Sequence, residues 1–158
     1  MPNRRNILLN RKIDLINQSN FTVDGFEDFG GYYFKYFPQE STSAEKITAS
    51  IPKSGNDYAL GWEIEVSALT DVSYVVFTPY AYDPLGTYPS GAPFSSITIT
   101  PVTTTSYRGQ VLRSDFNSGN INFKYQIFNK FGYYGALVGD SLDATITFSK
   151  YHVYLLYS

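Results

Sequence analysis

The stretch Trp62-Glu63-Ile64-Glu65-Val66 alternates apolar and acidic residues without interruption. Successive side chains of a β-strand point to opposite faces of the sheet, so the three apolar residues share one face and the two glutamates share the other. This pattern is typical of a strand with one buried and one solvated face, as antiparallel sheets have. The centre of the chain is therefore predicted to be a half-buried strand.

Similar β-rich runs lie on both sides of this strand, at residues 32–37, 72–82, 96–102, 107–116, 121–127 and 144–157. Residues 6–16 and 44–51 fit either a short strand or a helical turn. Residues 17–31, 83–93 and 129–139 are rich in Gly, Pro, Asn or Asp, and we interpret them as loops. Pro79 indicates a sheet edge or a bulge. The pattern predicts an all-β, antiparallel sandwich or jelly roll of about eight to ten strands.

The length and composition fit one domain. The 158 residues divide into an N-terminal arm with a first strand (1–16) and the sandwich itself (17–158). There is no Cys, and the net charge of −2 favours neither nucleic acid nor a membrane surface as a partner. The apolar run Ile7-Leu8-Leu9 is shorter than the core of a signal peptide, and no run is long enough to span a bilayer. We therefore expect neither a signal peptide nor membrane insertion.

Residues for catalysis are few. The only His, His152, lies in an apolar run and is interpreted as a core or sheet-surface residue, and no phosphate-binding loop or metal-spaced His pair is present. Glu63 and Glu65 would lie roughly 7 Å apart on one strand face, which leaves a small glycan-active enzyme as an alternative. We expect no catalytic residues and no enzyme activity.

Metal binding is likewise not expected, and no cofactor is predicted. Several aspartates lie near turns, where this residue usually caps its own backbone, and a structural calcium ion is the alternative interpretation. These aspartates are Asp24, Asp28, Asp140 and Asp143.

The distinctive feature is the aromatic content, with 15 Tyr, 12 Phe and one Trp. A tyrosine ring can stack on a sugar or pack at an interface while its hydroxyl stays hydrated. Tyrosines in loops are the best candidates for ligand contacts, because those in strands usually pack across the sheet. The candidates are Tyr82, Tyr88, Tyr133, Tyr134, Tyr32 and Tyr33.

Four of the 12 basic residues lie near the start of the chain. Arg4, Arg5, Arg11 and Lys12 could attach the domain to a larger assembly, or they could form a solvated arm. We keep them as candidate assembly contacts.

Four segments carry a family resemblance. They are Asn6-Ile7-Leu8-Leu9-Asn10, Tyr58-Ala59-Leu60-Gly61-Trp62-Glu63-Ile64, Thr103-Thr104-Thr105-Ser106-Tyr107, and the run from Ala144 to Val153. In their order they resemble the jelly-roll carbohydrate-binding modules of the galactose-binding-like superfold, copies of which occur in phage tail and capsid-surface proteins. Those modules often have Trp at the position of Tyr107, and acidic calcium ligands at the positions of Lys150 and Tyr151.

The resemblance implies a non-catalytic structural protein of a virion surface, such as a phage capsid decoration, head-fibre or tail accessory protein. Its partners would be other virion proteins or cell-surface glycans. From the aromatic surface we also expect self-association into a homo-oligomer. A soluble lectin-like module that binds sugar through its loop tyrosines is the main alternative.

Overall fold

The computed structural model describes residues 11–38, 47–50, 58–82, 92–93, 95–112, 115, 117–118, 121–122 and 130–157. Residues Arg4, Arg5 and Tyr88 lie outside these ranges, as does most of the alternating run 121–127. Within them the strands are β1 (Arg11–Gln18), β2 (Phe21–Val23), β3 (Glu27–Asp28), β4 (Tyr33–Tyr36), β5 (Ile47–Ser50), β6 (Tyr58–Thr70), β7 (Val72–Tyr82), β8 (Ala92–Pro93), β9 (Ile97–Ile99), β10 (Ser106–Leu112), β11 (Asn117–Ser118), β12 (Ile121–Asn122), β13 (Lys130–Gly139) and β14 (Thr145–Tyr157).

The strands form two main antiparallel sheets. Sheet A has the order β1-β14-β6-β10, and β2 continues the edge begun by β1 along β14. Sheet B has the order β3-β4-β13-β7-β8, with β5 beside β13 and β9 beside β7. Strands β11 and β12 form a separate two-stranded pair. The all-β antiparallel sandwich is thus confirmed. The number of strands is higher than the predicted eight to ten, because several short strands pair with different parts of the same long strand.

Aromatic contacts join the two sheets through a common core. Trp62 of sheet A lies 5.9 Å from Phe77 of sheet B, and Tyr58 lies 5.5 Å from Phe131, measured between ring centroids. Fully buried side chains from both sheets form one apolar cluster. Burial of an aromatic or aliphatic side chain contributes about 1.5–3 kcal/mol, so this cluster is the main source of stability.

The alternation that predicted the central strand is present in β6. Ile64 and Val66 are buried, Trp62 packs against the core, and Glu65 is exposed on the opposite face. This strand is central in sheet A, because it pairs with β14 on one side and β10 on the other.

The prediction of a loop at 129–139 was wrong, because residues 130–139 form β13, the central strand of sheet B. Its glycines mark close approaches of neighbouring atoms. A Cβ on Gly135 would lie 2.4 Å from the backbone oxygen of Phe37, and one on Gly139 would lie 2.7 Å from the Cβ of Ala144. Both faces of β13 are largely buried, so the polar–apolar alternation that identifies a half-buried strand is missing.

The segment 17–31 was also only partly a loop. It contains the end of β1 together with β2 and β3. Asn20 has a positive φ of 55° and its backbone N–H donates to the oxygen of Ser149, which lets the chain turn between β1 and β2 without leaving β14. The turn residues of this segment therefore mark the break between β1 and β2, which follow one another along the same edge of β14.

Pro79 lies within β7, next to a gap between two short neighbouring strands. On one side it pairs in register with Tyr133 of β13, and on the other it falls between Phe77, which pairs with β9, and Tyr80, which pairs with β8. A proline removes one ladder hydrogen bond, and the gap between two short edge strands tolerates that loss.

Candidate binding surface

The outer faces of the two sheets have different chemistry. The outer face of sheet A carries charged and polar side chains from four strands. The outer face of sheet B carries aromatic and small residues, because the core-facing residues Phe131, Tyr133 and Leu137 of β13 alternate with Tyr134, Ala136 and Val138. The second face is the better candidate for a binding surface.

Six rings form a continuous row on this face, which we call the aromatic band: Phe29, Tyr32, Phe34, Tyr36, Tyr134 and Tyr80. Consecutive centroids are 5.4 Å apart for Tyr32–Phe34, 5.6 Å for Phe34–Tyr36, 6.1 Å for Tyr36–Tyr134 and 5.5 Å for Tyr134–Tyr80. The planes in these four pairs are inclined by 39° to 71°. Tilted packing of this kind is favourable for aromatic pairs and gives a ridged surface.

The strand register explains why these rings share a face. Tyr36 pairs with Ala136, and Phe34 pairs with Val138, while the intervening Lys35 points to the other side. Tyr134 pairs with Thr78 of β7, two residues before Tyr80. Side chains of directly paired residues and of residues two apart lie on the same face of a sheet, so the row crosses three strands.

The most exposed part of the band is the turn between β3 and β4. Phe29 is 39% exposed and Tyr32 is 49% exposed, and their rings are nearly parallel at 14°. The backbone N–H of Phe29 donates to the oxygen of Tyr32, and the carboxylate of Asp28 accepts from the N–H of Gly30. Gly30 has a φ of 81°, which glycine adopts without strain. The turn therefore fixes both rings at the surface.

The structure separates the predicted tyrosines into different environments. Tyr32 and Tyr134 lie together in the aromatic band. Tyr133 is fully buried and Tyr33 packs against the core, so neither ring is available to a ligand at the surface. Tyr82 ends β7.

Four members of the band were not predicted from the sequence. Phe29 lies in a turn, and Phe34, Tyr36 and Tyr80 lie in strands, where the ordinary role of an aromatic residue is packing. The alternation Phe34-Lys35-Tyr36 is a signal for one shared face, but only the pairing with β13 shows that this face is the outer one. Long-range pairing of this kind is not encoded locally.

The outer face of sheet A is a network of charges. Lys150 Nζ donates to Glu63 Oε2 at 2.6 Å, and Arg108 lies opposite Glu63 on β10. The hydrogen bond from Lys150 holds the pKa of Glu63 below its usual value, and the same bond raises the pKa of Lys150. A carboxyl group with a lowered pKa is ionised at neutral pH, which is unfavourable for the general acid that the glycan-active alternative would need.

The only histidine is part of the same face. His152 is 7% exposed, and its Nε2 lies 2.7 Å from Asp14 Oδ1 on the neighbouring strand β1. The ammonium group of Lys12 lies 4.6 Å from the ring centroid of Tyr154, also across β1 and β14. Lys12, a candidate assembly contact, thus has a partner within its own sheet, and Arg11 is exposed at the start of β1.

Two of the four candidate calcium ligands line one surface cavity. Asp24 and Asp143 lie with Gly25 and Leu142 around a cavity of about 390 Å³. Asp28 caps Gly30, and Asp140 accepts a hydrogen bond from the hydroxyl of Ser73. Among the described residues, no group of three or more acidic, His or Cys side chains could hold a metal ion.

Comparisons with known proteins give little to set beside this geometry. No protein-family model matches the chain, and no curated protein matches it. A chain in a structure titled "Structure of infectious bursal disease virus Gx strain" is similar at a TM-score of 0.41 and 9% identity, over 90% of this chain and 34% of that chain. This chain therefore spans about a third of the length of that one. Within the described ranges, no helix is long and apolar enough to cross a membrane.

Proposed function

We propose that this protein is a non-catalytic binding and structural protein of a virion surface, with a fold like that of carbohydrate-binding modules. It attaches to neighbouring protein through the aromatic band. The observation that carries the proposal is the contrast between an aromatic, nearly uncharged outer face on sheet B and a charged outer face on sheet A. The virion surface as the location comes from the resemblance of four sequence segments to modules of phage tail and capsid-surface proteins.

Two physical arguments support a protein partner for the aromatic band. Soluble monomers rarely expose contiguous apolar patches larger than a few hundred Å², and larger patches usually mark interaction sites. Aromatic residues, above all Tyr and Trp, are also enriched among the residues that dominate binding energy at protein interfaces. The inclined rings of β4, β13 and β7 suit interdigitation with another side-chain surface.

A second candidate function, sugar binding, is favoured by one local observation. Phe29 and Tyr32 are the most exposed rings of the aromatic band, and each offers an apolar face on which a sugar ring can stack. In this case the turn between β3 and β4 binds cell-surface glycans, and the rest of the band packs against protein.

A glycan array and a sedimentation experiment distinguish these functions. The structural function predicts concentration-dependent association that Tyr134→Ala weakens and Tyr32→Ala weakens less. The lectin function predicts sugar binding that Tyr32→Ala abolishes and Tyr134→Ala spares. Protein that stays monomeric and binds neither glycans nor purified virion shells would contradict the proposal. Hydrolysis of an oligosaccharide that Glu63→Gln or Glu65→Gln abolishes would support the enzyme alternative instead.

A further inference from the structure

Charged side chains are almost excluded from the outer face of sheet B, and the two exceptions have opposite signs. In the described strands of this sheet the charged residues are Glu27, Asp28, Lys35 and Lys130. Glu27 pairs with Phe34, a member of the aromatic band, so its carboxylate lies on the outer face. Lys130 precedes the buried Phe131 and alternates with it, which also puts Lys130 on the outer face.

These two charges flank the aromatic band at opposite ends. Through Phe34, Glu27 is in register with Val138, eight positions along β13 from Lys130. At about 3.4 Å per residue, this separation is roughly 27 Å along the strand. The point midway between the two charges falls beside Tyr134 and Tyr36.

We infer from this arrangement that the partner on the aromatic band is a second copy of the same chain, an inference that rests on the proposed function. The two copies pack face to face about a two-fold axis beside Tyr36 and Tyr134. Such an axis lies in the interface and runs across the strands. It brings Glu27 of each copy to Lys130 of the other, so both charge pairs form at the same time. The Tyr36 and Tyr134 rings pack at the centre against their own equivalents.

The dimensions of the face suit such a dimer. The seven described strands of sheet B contain 36 residues. At about 3.4 Å per residue and about 4.8 Å between strands, they give a flat footprint on the order of 600 Å². The relief of the side chains makes the accessible area larger than the footprint, and a standard interface buries about 800 Å² on each partner. A centre of aromatic rings with charges at the rim is the usual arrangement of such an interface.

A charge-reversal series measured by sedimentation equilibrium at low salt tests this inference. We expect the wild-type protein to dimerise. Glu27→Lys and Lys130→Glu should each weaken the dimer by about tenfold, because each reversal sets like charges against each other twice in a symmetric dimer. The double variant Glu27→Lys/Lys130→Glu should restore the dissociation constant to within about threefold. Glu65→Lys, a charge reversal at an exposed position on the outer face of sheet A, is the control and should leave the dissociation constant unchanged. Circular dichroism verifies that each variant folds.

Three results would overturn the inference: a monomeric wild type, a dimer that neither single reversal weakens, or a double variant that does not regain affinity. The proposed function has a separate readout. If the protein is monomeric but binds purified virion shells and Tyr134→Ala removes this binding, or binds glycans and Tyr32→Ala removes this binding, the aromatic band remains the binding surface and only the identity of its partner is wrong.

Discussion

Tyr36 of β4 and Tyr134 of β13 meet on the outer face of sheet B with ring centroids 6.1 Å apart and planes inclined by 71°. Neither ring is needed to fill the core, which lies on the other side of both strands. The pair therefore provides a way to change the surface of the protein without changing its fold.

The double substitution Tyr36→Ser/Tyr134→Ser should leave the sandwich folded and weaken association by about 30-fold or more. Loss of a central aromatic residue at an interface typically costs at least about 2 kcal/mol. Sedimentation equilibrium measures the association and circular dichroism verifies the fold. Leu142→Ser is the matched control, because Leu142 is an exposed apolar residue in the turn between β13 and β14, away from the aromatic band. Equal weakening by the control would mean that the effect is not specific to the band.

Alkaline pH should destabilise the protein through two buried tyrosines. Burial raises the pKa of both Tyr133 and Tyr151. An unfolded tyrosine ionises near pH 10 while these two stay neutral in the folded state. The unfolded state then binds fewer protons, so the free energy of unfolding falls as pH rises above about 10.

Urea unfolding between pH 8 and pH 11 measures this effect. Lys150 has a raised pKa that acts in the same direction, so the tyrosine contribution is isolated by comparison with Tyr133→Phe/Tyr151→Phe. The double Phe variant should show a flatter dependence on pH. The same slope in both proteins would contradict the assignment to the buried tyrosines.

Tyr133→Phe alone, at pH 7, should change the free energy of unfolding by less than about 1 kcal/mol in either direction. The hydroxyl of Tyr133 is buried and makes no hydrogen bond of ordinary geometry within the described part of the chain. Removal of a buried polar atom without a partner is nearly neutral or stabilising, because no bond is lost. Tyr133→Ala, by contrast, should cost about 3–5 kcal/mol through the cavity that it leaves. Thermal or urea unfolding gives both values, and a large loss for the Phe variant would show that the hydroxyl has a structural partner.

Gly135→Ala should destabilise the protein by about 1–3 kcal/mol, as overpacking of a core usually does. The added Cβ would meet the backbone oxygen of Phe37, which cannot move without shifting β4. Gly109→Ala is the informative comparison. The three atoms nearest to its Cβ would all belong to the Trp62 side chain, which can shift more easily than a backbone oxygen, so the cost should be smaller. The opposite ranking in urea unfolding would contradict this account of β13.

The fold class was predictable from the sequence because it depends on local alternation, as in the strand around Ile64, where every second residue faces the core. The role of β13 was not predictable, because a strand buried on both faces shows no alternation and its glycines resemble those of a loop. The same limit applies to the binding surface. Tyr32 and Tyr134 could be selected from the sequence, whereas Tyr36 becomes a member of the aromatic band only through its pairing with β13.

The most direct test of the central claim, that the aromatic band is the binding surface, is hydroxyl-radical footprinting of the protein alone at low concentration and in its associated form. We predict that labelling of Phe34, Tyr36 and Tyr134 falls on association, while labelling of Leu112, which is exposed on the outer face of sheet A, stays the same. Protection of Leu112 with unchanged labelling of the aromatic band would contradict this assignment and place the binding surface on the outer face of sheet A.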